Sequence, residues 1–177
     1  MIGLRRAFER MHRLYQGDAN RPLRGYAVVL GTYAGLAGAL AVLGRAAGAR
    51  LPERFGAGDT VLLSVATHKA GRLLAKDAVT SPLRAPFARF EGPAGEAELN
   101  ESVRGHGTQH AVGEMVTCPF CLAVWVSTGL SAGMVLAPRA ARLVCTALTA
   151  VAASDALQLA YDTGKQRLRL AARQAGD

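Results

Sequence analysis

Residues 25 to 44, GYAVVLGTYAGLAGALAVLG, form a run of 20 residues without a single charge. As a helix such a run rises about 30 Å, the thickness of a bilayer's hydrocarbon core. Backbone placed in lipid must satisfy its own hydrogen bonds, so the segment is read as a membrane-crossing helix. Two further runs repeat the pattern. Val116 to Pro138 carries no charge, and Leu143 to Tyr161 carries only Asp155. Only four residues separate these two, which predicts an antiparallel helical hairpin.

The apolar content is built from small residues. Half of the 177 residues are hydrophobic, yet only 6% are aromatic. Small side chains suit close helix packing in lipid better than a large water-soluble core. Gly31 and Gly35 in the first run are spaced as GxxxG, which predicts close approach of another helix or of a second copy of the chain. Ala47-Gly48-Ala49 has the form of a signal-peptide cleavage site, but the preceding apolar run is too long for one and is read as a retained helix.

The segment Thr60 to Ala78, TVLLSVATHKAGRLLAKDA, is mixed. Its first half is apolar, and His68, Lys69, Arg72 and Lys76 fall on a stripe about 100° wide. It reads as a short, amphipathic span with that stripe facing the bundle, or as a helix lying in the interface. Residues 1–24 place Leu4, Phe8, Met11 and Tyr15 at helical spacing among six arginines, the pattern of a basic amphipathic helix on a membrane surface. Residues 79–115, with Pro82, Pro86, Pro93 and the acids Glu91, Glu96, Glu98 and Glu101, read as a polar loop. Residues 162–177 form a basic tail.

The expected architecture is therefore all-α. Four transmembrane helices, about 25–44, 60–78, 116–138 and 143–161, follow an N-terminal amphipathic helix. The net charge of +8 would suit a nucleic-acid binder. Here, however, the basic residues flank apolar runs and are not interleaved with stacking aromatics, which argues for a lipid bilayer and against nucleic acid. With four spans, 13 Lys/Arg lie on the side shared by residues 1–24, 79–115 and 162–177, and five on the other. Positive charge gathers on the cytoplasmic side, so both termini are expected there, in a plasma membrane.

The stretches RLLAKD (Arg72 to Asp77) and CPFCLAVW (Cys118 to Trp125) carry a resemblance to a known family. Residues 60 to 161 resemble the small bacterial membrane proteins grouped as domain of unknown function 1360. The resemblance implies a bacterial integral membrane protein and carries over no activity.

Two constellations remain for chemistry. His106 and His110 stand four apart, and Cys118 and Cys121 form a CxxC at the head of the third span. Two imidazoles and two thiolates make a tetrahedral set suited to zinc, the one cofactor the residues suggest. The pairs meet only if the chain turns between Gly113 and Thr117, with Thr117 capping the new helix. A second reading is a thiol–disulfide oxidoreductase using Cys118 and Cys121. A third is packing alone, since cysteine is a small apolar residue. Glu101 and Glu114 read as solvated loop acids. Asp155, within the last span, is costly in lipid without a partner. Arg72, Lys69 and His68 are the available ones, and Arg72 is the expected pair. The chain reads as a structural or accessory membrane protein more than an enzyme, with thiol oxidoreductase or small transporter using Asp155 as alternatives.

Overall fold

The structure, a computed structural model, describes residues 2–16, 21–54 and 56–175. Its helices are α1 (Ile2–Gln16), α2 (Leu23–Ala46), α3 (Ala57–Lys76), the single-turn α4 (Ser81–Arg84), α5 (Gly107–Thr117), α6 (Pro119–Leu136) and α7 (Pro138–Ala175). An antiparallel hairpin, β1 (Ala88–Gly95) and β2 (Glu98–Val103), interrupts them. The chain is thus mostly helical, though not all-α. The segment expected to be a polar loop is a folded unit of hairpin, 3₁₀ turn (Ala78–Thr80) and two helices.

Among the described residues three helices are long and apolar enough to cross a membrane: α2, α6 and α7. The fourth expected span is α3, a continuous helix whose second half carries Lys69, Arg72 and Lys76. The expected amphipathic N-terminal helix is α1, exposing Met11, Leu14 and Tyr15. The expected break at Gly17, Asp18 and Asn20 lies outside the described residues. Glu9 of α1 stands 3.6 Å from Arg24 at the start of α2.

The four long helices share two ends. Ala137, at φ −143° and ψ 65°, breaks the chain between α6 and α7, and α7 folds back so closely that a Cβ on Gly133 would stand 3.2 Å from Ala141. Leading from that turn, α3 follows the pair along its length. Asp59 holds Arg142 at 3.1 Å beside the turn, Thr149 donates to the Leu62 carbonyl at 3.3 Å, and Gly71 meets the Pro119 carbonyl at the far end. On α2, Gly25 lies against Gly107 and Ala111, the Tyr33 hydroxyl is 2.8 Å from that of Thr128, and Gly44 touches Leu136. Tyr33 also meets Trp125 edge to face, with centroids 5.2 Å apart. The buried core is small-residue packing, with Ala66, Ala75, Ala141 and Cys145 at its centre. The outward faces carry Val28, Leu30, Leu36, Val42 and Leu143, an apolar exterior. Among the described residues nothing lies within 4 Å of where a Cβ on Gly31 or Gly35 would stand. The last helix does not stop at Tyr161 but runs unbroken into the basic tail.

The hairpin closes through a two-residue loop, with Ala97 in the left-handed region at φ 59°. Its tip docks on the end of α3: Asp77 bridges to Glu98, and the Ala78 amide donates to the Ala97 carbonyl at 3.1 Å. Gly105 and Gly107, at φ 74° and 58°, then reverse the chain from β2 into α5, a backbone path that L side chains resist.

Arg84 ties this unit together from the inside. Its side chain is 1% exposed and that of Glu101 5%. The guanidinium donates to Glu101 at 2.6 and 3.2 Å, to the carbonyls of Leu74 and Asp77, and to the Thr80 hydroxyl. Burying an ion pair costs desolvation, and full hydrogen bonding offsets it; removing one partner strands the other. Arg84→Met or Glu101→Leu should each destabilise the protein by about 3–5 kcal/mol, and the double substitution by less than the sum. Denaturant unfolding in detergent micelles measures this; simple additivity would refute the pairing.

Candidate functional site

The candidate site is the mouth of the bundle where α3 ends, α5 meets α6 and α7 leaves. Thr117 does not cap α6; its hydroxyl donates back to the Gly113 carbonyl at 2.8 Å, inside α5. Cys118 is the cap. It stands in extended conformation at φ −105° and ψ 110°, and its Sγ accepts the Cys121 amide N–H at 3.4 Å. Pro119 follows at the first helical position, where its missing N–H costs nothing. The chain thus turns at Cys118, not around Gly113, which sits mid-helix. A Cβ on Gly113 would come within 2.8 Å of the Phe87 carbonyl, so this glycine lets α5 press on the hairpin.

The placement of that turn decides the metal reading. His106 is exposed just before α5, between the two left-handed glycines, while His110 is half-buried on α5 with Nε2 3.5 Å from Glu114. Cys118 and Cys121 belong to the next helix. Among the described residues no three His, Cys, Asp or Glu side chains gather as a metal ion requires, and the expected set of His106, His110, Cys118 and Cys121 is not assembled. Glu114 instead centres a polar cluster: it accepts from the Tyr26 hydroxyl at 2.5 Å and from Arg21 at 2.9 Å. The hydrogen bond that Arg21 donates to the Tyr26 oxygen, and then the Glu114 carboxylate, hold the Arg21 guanidinium above its usual range. Neither Glu114 nor Glu101 is a solvated loop acid.

The thiols differ in setting. Cys118 is half-buried and Cys121 exposed, and the two are within hydrogen-bond reach of each other. Desolvation raises the Cys118 thiol, but the bonds from Cys121, its amide and that of Phe120, with the Lys76 charge, outweigh it and leave the thiol below its ordinary range. Cys145 is fully buried in α7 and serves packing.

Asp155 is paired, but with Lys69 rather than the expected Arg72. Lys69 Nζ lies 2.6 Å from the carboxylate. Arg72 is one turn further along α3 and grips Glu98 of the hairpin through Nε and Nη2, at 2.9 and 2.5 Å. His68 is exposed. As many residues separate Pro119 from the α6–α7 turn as separate that turn from Asp155, so the carboxylate is level with the first turn of α6. It sits at the rim of the bundle, not in its middle. Sequence reasoning missed Arg84–Glu101 and Arg72–Glu98, because their partners are remote along the chain.

Comparison with known proteins gives a family and no function. The profile of a bacterial family described as "Protein of unknown function (DUF1360)" matches residues 62–161. The "Sporulation protein YjcA" of Bacillus subtilis (strain 168) is 34% identical over 85 residues, 46% of this chain and 72% of that protein. No solved structure matches.

Two outcomes test this geometry. In unfolding measurements, Lys69→Met and Asp155→Asn should be coupled, whereas Arg72→Gln and Asp155→Asn should add within about 0.5 kcal/mol. Iodoacetamide should alkylate Cys118 with a pH midpoint below that of an ordinary cysteine, because a depressed pKa keeps the reactive thiolate to lower pH. Lys76→Gln should move that midpoint upward; an unmoved midpoint would remove Lys76 from the site.

Proposed function

The chain belongs to the DUF1360 family, and on that premise we propose that it is a four-span integral protein of the bacterial plasma membrane, accessory to sporulation, with both termini cytoplasmic. The observation that carries the topology is the register of α3. It touches α7 beside the α6–α7 turn through Asp59–Arg142 and reaches the opposite end at Gly71–Pro119, so it is as deep as its neighbours. Its 20 residues rise about 30 Å, enough for the hydrocarbon core. A helix lying in the interface would cross the bundle rather than follow it.

Four crossings put the hairpin, α5 and both termini on one side, the side with most of the arginines. That side carries the whole folded unit anchored by Arg84. The opposite side carries only short connections. The sporulation setting comes from the printed name of the relative, and the accessory role from a folded unit seated on the membrane face of a helical bundle.

Reporter fusions at Gly95 and after the tail should report cytoplasm, and a fusion at Gly56 the outside. An external signal at Gly95 would overturn the four-span reading. Deleting the gene in its own host should lower heat-resistant spore counts, with recovery on re-expression of the full chain; unchanged counts would sink the sporulation setting.

A further inference from the structure

We propose that Cys118 and Cys121 form a thiol–disulfide exchange centre that reduces a disulfide of a partner protein at the cytoplasmic face, with Glu114 taking the proton of Cys121. The geometry assigns different roles to the two thiols. Cys118 caps α6, so the unpaired N–H groups of a helix start point at its sulfur, and the Cys121 amide is bonded to it. Lys76, at the end of α3, adds a positive charge near the same sulfur. Cys118 is thereby set as the attacking thiolate. Cys121 is exposed one turn on, within hydrogen-bond reach of Cys118, and is set as the resolving thiol.

Two further observations make this a held arrangement. Glu114 lies within electrostatic reach of Cys121, and Tyr26, Arg21 and His110 hold its carboxylate in place. Gly71 brings α3 against the Pro119 carbonyl, so close that a Cβ would stand 3.2 Å away, and this clamps the backbone between the two cysteines.

The exchange balances in two steps. The Cys118 thiolate attacks one sulfur of the partner's disulfide; a mixed disulfide forms, the partner's S–S bond breaks, and its other sulfur leaves as a thiolate that takes a proton from water. Cys121 then gives its proton to Glu114 and attacks Cys118 Sγ. The Cys118–Cys121 bond forms, the mixed disulfide breaks, and the second partner sulfur leaves as a thiolate and is protonated. The partner gains two electrons, and the dithiol loses them. Low-molecular-weight thiols of the cytoplasm return the pair to the dithiol by the same exchange. The reducing direction rests on the cytoplasmic placement proposed above. The exchange itself is read from purified protein and does not, so the two readings fail separately.

The test is reaction of the full chain in detergent micelles with the aromatic disulfide dithiobis-nitrobenzoate. The native chain should release two equivalents of aryl thiolate, retain no adduct and lose the mass of two hydrogens, with Cys145 silent until the protein is denatured. Cys121→Ser should release one equivalent and retain the aryl adduct. Cys118→Ser should react about tenfold more slowly, the scale of an unactivated thiol. Glu114→Gln should leave the first release unchanged and slow the second at least about tenfold, with Glu114→Asp restoring part of it. A native chain that retains two adducts, or a Cys118→Ser chain as fast as native, would overturn the exchange centre. An unchanged second phase in Glu114→Gln would overturn the proton acceptor.

Discussion

The ion pair between Arg84 and Glu101 is the contact on which the polar half of the molecule depends. A guanidinium that is 1% exposed survives burial because every direction of its planar fork meets an acceptor. Those acceptors come from three places: the end of α3 through the Leu74 and Asp77 carbonyls, the 3₁₀ turn through Thr80, and β2 through Glu101. One side chain thus joins carbonyls at the end of a long helix, of which that of Asp77 also accepts from the Thr80 hydroxyl, to a hairpin that is too short to be stable alone. Phe87 and Val103, next to these residues, form the surface on which Gly113 seats α5. The position of Cys118 follows, since α5 delivers it to the head of α6.

Close backbone approach does the remaining positioning. At Gly25, Gly71 and Gly113 a methyl group would stand 3.2 Å or less from a carbonyl oxygen of another element. Each of these glycines joins one of the long helices or α5 to a neighbour at the mouth. In a bundle whose core is mostly alanine, such contacts replace the interlocking of large side chains. The mouth is consequently closely packed backbone to backbone, with alanines such as Ala75 and Ala111 buried beside it.

The sequence was most legible where the physics is one-dimensional. Apolar runs with at most one charge identify α2, α6 and α7, because being able to cross lipid is a matter of length and composition alone. The hairpin was not legible: Pro93 and the acids Glu91, Glu96, Glu98 and Glu101 read as a polar loop, and the alternation of β1 is broken by bulges between Phe90 and Gly92 and between Pro93 and Gly95. The partner of Asp155 was half legible. Lys69 and Arg72 lie on one stripe of α3, and only the level at which α7 passes, set by the turn at Ala137, selects the lysine. Likewise the spacing of His106, His110, Cys118 and Cys121 reads as a ligand set, but the helix break falls at Cys118 itself and sends the pairs along different axes.

The same levels explain how α3, with three cations, is compatible with a place among helices that hydropathy marks as spanning. The basic residues are confined to its last two turns, at the height of the mouth. Lys69 is neutralised by Asp155 and Arg72 by Glu98, and Lys76, half-buried, ends the helix. The preceding residues, from Val61 to Thr67, carry no charge. A charge in lipid is expensive when alone, and far less so when its partner is already held at hydrogen-bond distance by packing. The hairpin and α7 supply those partners in fixed positions. The charge count of α3 is therefore a property of the helix in isolation, whereas in the bundle two of its three cations are paired.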